Sequence, residues 1–163
     1  MTEQEIEHIC DQYGIENYTI NPDGSIDVDG SVYISGYRLS KLPLKFNRIR
    51  YNFYCGNNLL TTFENFPIEV GFNFNCSYNL LTSLKGCPKY VGGSFTMYYN
   101  LIDTIDNLSQ TIKNDFDLRK NPLKSLGNYN LSYDILKCDN NKELISKHIK
   151  DKRKGKINKL NLL

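Results

Sequence analysis

The 163-residue chain predicts an α/β repeat solenoid: about six coils of ~21 residues with parallel strands, closed at both ends by helical elements. Three observations predict it. Phe53, Phe74, Phe95 and Phe116 stand 21 residues apart, three times running. Five further columns keep that register. The composition is 40% hydrophobic and 23% charged, with a mean hydropathy of −0.48, which suits a globular core and excludes a disordered or membrane-embedded chain.

Residues 1–29 read as an N-terminal helix and hairpin cap. TEQEIEHICDQY is a helix over 2–13, because Thr2 with Glu5 three residues on forms a capping box and Gly14 follows as a stop. Ile6, Ile9 and Cys10 form its apolar stripe. Tyr18–Ile20 and residues 25–28 flank Asn21-Pro22-Asp23-Gly24, a turn tetrapeptide, and predict a hairpin.

Residues 30–141 read as the array. Val32 and Leu136 extend the phenylalanine column at its two ends. Two residues beyond each come Ile34, Cys55, Cys76, Met97, Leu118 and Cys138. This apolar-x-apolar step predicts a short strand with alternate side chains inward. Asn58, Asn79, Asn100, Asn121 and Asn141 follow, with Tyr37 in that place in the first coil. An asparagine there can turn the chain and bond backbone groups of neighbouring coils. Leu39, Leu60, Leu81, Ile102 and Leu123, then Leu42, Phe63, Leu84, Ile105 and Leu126, pack beneath the strand. Ile49, Val70, Val91, Ile112 and Tyr133 close each unit. No unit can bury its own apolar face, so neighbours must stack.

Residues 142–163 read as a C-terminal helical cap with a basic tail. KELISKHIK predicts a short helix with Leu144, Ile145 and Ile149 inward, and DKRKGKINK follows. Charge is graded along the chain: residues 1–29 carry eight acidic and no Lys or Arg residues, whereas residues 142–163 carry eight basic and two acidic.

The unit apolar-x-apolar-x-x-Asn-x-Leu-x-x-Leu is the leucine-rich-repeat pattern. NFYCGNNLLTTF and FNFNCSYNLLTSLKGCPKYVGGSF closely resemble the repeats of short leucine-rich-repeat proteins encoded by large tailed bacteriophages and some bacteria. The likeness spans residues 20–141 and is most literal over Phe74–Gly93. It loosens where Leu108 and Ser109 replace Cys87 and Pro88 of the preceding unit. It implies a phage or bacterial source, a host bacterial protein as partner, and the host cytoplasm as location.

Enzyme chemistry has little to stand on. The cysteines Cys10, Cys55, Cys76, Cys87 and Cys138 form no C-x-x-C, and His8 and His148 sit at opposite ends, so neither a zinc site nor a Cys–His nucleophile pair is expected. Asp23, Asp27 and Asp29 lack calcium-loop spacing. Gly71, Gly92 and Gly93 read as turn glycines of the repeat. No catalytic residue, metal, cofactor or membrane span is expected. The expected function is protein binding on the outward sheet face. Its candidate residues are Tyr33, Tyr51, Tyr54, Phe72, Asn75, Tyr78, Tyr98 and Tyr99, with Asp117, Arg119 and Lys120 as a charged flank. The alternatives are nucleic-acid association through the basic tail and a virion or self-assembling structural part.

Overall fold

The chain winds into a parallel β-solenoid of about five turns with little helix, seen in a computed structural model that describes residues 1–105, 111–126, 136–139, 143, 146–147 and 150. Helix α1 covers Glu3–Tyr13. The Thr2 hydroxyl accepts from the Glu5 N–H and the Glu5 carboxylate accepts from the Thr2 N–H, while Gly14 ends the helix in the left-handed region at φ +60°. Ile6 and Cys10 are buried in the core and Ile9 packs against it. Strands β1 (Tyr18–Ile20) and β2 (Ile26–Val28) form the antiparallel hairpin, with Tyr18 opposite Val28.

Among the described residues, the coils from Val32 through Ile112 each contribute two strands rather than the single one their spacing predicts. One ladder carries the phenylalanine column: β3 (Val32–Tyr33), β5 (Phe53–Tyr54), β7 (Phe74–Asn75), β9 (Phe95–Thr96), β11 (Phe116–Asp117) and β12 (Leu136–Lys137), all parallel. The other begins with β1 and β2 and continues through β4 (Phe46–Ile49), β6 (Glu69–Val70), β8 (Tyr90–Val91) and β10 (Thr111–Ile112). The residues that close each unit therefore lie in a second sheet. Its signal was a β-branched residue followed by Gly71 or Gly92, where one coil touches the next. A Cβ on Gly71 would meet the Arg50 carbonyl oxygen at 2.0 Å, and one on Gly92 the Gly71 oxygen at 2.1 Å.

The two sheets enclose the core. Phe53, Phe74, Phe95 and Phe116 are fully buried and queue as neighbours, with centroids 5.9, 4.7 and 5.1 Å apart. Burying each such ring contributes about 1.5–3 kcal/mol. Beneath them lie the leucine columns and Phe63 and Phe66.

Asparagines tie coil to coil. Asn58 donates from Nδ2 to the carbonyls of Ile34 (2.8 Å) and Cys55 (3.0 Å), and its Oδ1 accepts the Leu39 N–H at 3.0 Å. Asn79, Asn100 and Asn121 repeat this arrangement one coil further each time. A shorter ladder at the strand entry runs from Ser31 through Asn52 and Asn73 to the Ser94 N–H.

The five cysteines are buried, and none is in a disulfide. Burial pushes the Cys55 and Cys76 thiols well above their ordinary range, so neither presents a thiolate. Iodoacetamide is expected to leave both unmodified in the native protein and to label them once denaturant is added. Mass spectrometry reads the difference, and rapid native labelling would contradict the packing.

Of the predicted C-terminal helix, Glu143, Ser146, Lys147 and Lys150 are helical and exposed. The expectations at Tyr133, Asn141, Leu144, Ile145, His148, Ile149 and residues 151–163 lie outside the described residues.

Candidate functional site

Alternation along the strands of the phenylalanine ladder turns Tyr33, Tyr54, Asn75, Thr96, Asp117 and Lys137 away from the core, one per coil. The next turn of each coil adds Tyr78, Tyr98, Tyr99, Arg119 and Lys120. The aromatic residues form three ring clusters rather than one sheet-wide patch. Tyr33 and Tyr54 lie 5.4 Å apart, centroid to centroid. Tyr51 and Phe72 lie 5.6 Å apart at the corner between the two sheets, with Arg50 over the Tyr51 ring at 5.4 Å. Tyr78 stacks on Tyr99 at 4.7 Å and 10°, and Tyr98 meets both edge-on. Tyr33, Tyr51, Phe72, Tyr78 and Tyr99 are exposed, while Tyr54, Asn75 and Tyr98 are half-buried.

Backbone conformation positions the third cluster. Asn57, Tyr78, Tyr99 and Lys120 occupy one column and all hold φ between +54° and +57°, and Gly36 begins the column at +80°. A glycine or asparagine accepts that region readily; a tyrosine does so at a cost of roughly 1–2 kcal/mol. Gly36 and Asn57 signalled the left-handed turn, but the tyrosines that follow masked it. Desolvation, then the neighbouring phenols Tyr98 and Tyr99 and a hydrogen bond with Tyr98, hold the Tyr78 phenol above its ordinary pKa.

The charged flank needs one correction. Asp117 is only 7% exposed, because Arg119 folds back over it. Arg119 Nη2 donates to Asp117 Oδ2 at 2.6 Å, Nε to Oδ1 at 2.9 Å, and its backbone N–H to Oδ1 at 3.1 Å. Burial raises the Asp117 pKa, and the Arg119 hydrogen bonds outweigh it, leaving the carboxyl below its usual value. Asp117 is thus buried as an anchor for Arg119 rather than exposed on the face as its place in the column predicts. Arg119 and Lys120 remain exposed, Lys120 with Asp139 beside it and Lys137 paired to Asp115 at 2.7 Å.

The acidic hairpin is similarly committed. Asp23 pairs with Lys45, Asp29 with Arg50 at 2.7 Å, and Asp27 accepts from Asn47 at 2.7 Å. Lys45, then Ser25, hold the Asp23 carboxyl well below the usual range. Among the described residues no group of His, Cys, Asp and Glu side chains could hold a metal ion, and no helix is long and apolar enough to cross a membrane. No protein family matches this chain, and no curated protein or solved structure matches it either.

Proposed function

We propose that the chain is a non-enzymatic protein-interaction module that captures its partner on the tyrosine-bearing face of the phenylalanine ladder. The observation that carries this is the set of exposed ring clusters on rigid, in-register rungs. Tyrosine supplies large contact area with few rotors and a polar tip, and fixed rungs lower the ordering cost of binding. The asparagine ladder and the leucine columns support reading the coils as leucine-rich repeats. Helix α1, with Ile6 and Cys10 buried, supports a cap over the first coil. The resemblance to phage-encoded repeat proteins makes the partner a host bacterial protein, one whose blocking or redirection would serve a phage, such as a defence factor in the host cytoplasm.

Affinity capture from bacterial lysate, read by mass spectrometry, tests the reading. Parent protein is expected to retain a specific partner that the double variant Tyr54→Ala, Tyr78→Ala loses at least tenfold. Equal capture by both would remove the face from consideration.

A further inference from the structure

The Tyr33–Tyr54 cluster gives way to Asn75 and the Tyr51–Phe72 cluster to Gly93, whereas the third gives way to a cation. Tyr78 covers one face of Tyr99, and the next place in that left-handed column is Lys120, a slim side chain where a ring would continue the stack. The outer side of Tyr99 therefore borders a pocket of about 260 Å³, lined by Tyr98, Tyr99, Arg119, Lys120 and Asp139. That volume falls just under the roughly 300 Å³ at which sites for drug-sized ligands begin.

Its polar groups come as both donors and acceptors. Arg119 spends Nε and Nη2 on Asp117, and Nη1 makes no hydrogen bond among the described residues. Lys120 Nζ stands 4.0 Å from Asp139 Oδ1, and the Lys120 backbone N–H is held by the other Asp139 oxygen. Two cations and one carboxylate, Asp139, line the pocket, and Asp117, outside the lining, is already paired with Arg119. An anionic ligand would meet Asp139, and a cationic one Arg119 and Lys120. A neutral ligand needs a face to lie on a phenol ring and a rim of hydroxyls that both give and accept hydrogen bonds. A pyranose has both, since its C–H face is drawn to the negative face of an aromatic ring.

We propose that this pocket binds a neutral saccharide ring, stacked on Tyr99 and hydrogen-bonded at its rim by Arg119, Lys120 and Asp139. The site goes beyond the protein-docking reading; it shares Tyr98, Tyr99, Arg119 and Lys120 with that face but uses neither Tyr33 nor Tyr54, so variants at Tyr33 and Tyr99 tell the two apart.

Saturation-transfer NMR and titration calorimetry on the full chain test it with three probe sets: neutral oligosaccharides of the common hexoses and N-acetylhexosamines, uridine monophosphate, and inorganic phosphate. At least one neutral oligosaccharide is expected to bind, with an affinity little changed between roughly 0.1 and 1 M salt. Tyr99→Asn, which suits the left-handed backbone as Asn57 does, is expected to weaken binding about tenfold or more while the fold persists. Asp139→Asn is expected to weaken it as well, and Tyr33→Ala to leave it unchanged. Three results would overturn the proposal: no neutral saccharide bound at millimolar concentration, preference for the nucleotide or phosphate, or undiminished binding by Tyr99→Asn.

Discussion

Gly92→Ala is expected to destabilise the protein by about 3 kcal/mol or more, measured as a loss of unfolding free energy in denaturant. The added methyl would sit 2.1 Å from the Gly71 carbonyl oxygen and 2.9 Å from its carbonyl carbon. Both atoms belong to the backbone, so no side chain can swing aside. Relief requires the two coils to part, which pulls on the Gly92 N–H to Val70 carbonyl bond (3.0 Å) and on the Val70–Val91 contact of the second sheet. Gly24→Ala is the control. Nothing lies within 4 Å of its Cβ, and its φ of +75° leaves only the left-handed penalty of roughly 1–2 kcal/mol. Equal losses at the two positions would show that the coils are not in close contact at Gly92.

Asn79→Ala is the second large effect, again about 3 kcal/mol. The substitution removes two good hydrogen bonds, to the carbonyls of Cys55 (3.1 Å) and Cys76 (3.0 Å). Those carbonyls keep donors from Asn58 and Asn100, so they cost little. The Leu60 N–H does not: Asn79 Oδ1 is its acceptor at 3.0 Å, and Leu60 is wholly buried. An orphaned buried donor costs about 1–3 kcal/mol beyond the roughly 1 kcal/mol of each lost bond. Asn79→Asp is expected to be worse, because it keeps the acceptor but turns a carboxylate oxygen toward two carbonyls. A neutral outcome for Asn79→Ala in thermal or denaturant unfolding would mean that the ladder is ornamental.

The rest of the molecule divides by what each residue must meet. The 21-residue period, the inward phenylalanines and cysteines, the asparagine turn, the α1 capping box and the hairpin were all legible in the chain. Each depends on a residue's own geometry or on spacing along one coil. The outward column from Tyr33 to Lys137 followed from alternation alone. What stayed hidden depends on the neighbouring coil. The closing residues Ile49, Val70 and Val91 became a second ladder only when stacked. Asp117 was expected at the surface and is buried, because Arg119 two residues on turns back over it. Tyr78 and Tyr99 looked like two more strand residues, whereas the turn set by Gly36 and Asn57 carries them in the left-handed region and stacks them.

Local chain chemistry determined the rung, because period and side-chain polarity act within a single coil. Tertiary stacking alone decided the ring clusters, the glycine contacts and the pocket beside Tyr99. Each is made of atoms about 21 residues apart that meet only when one coil settles on the next.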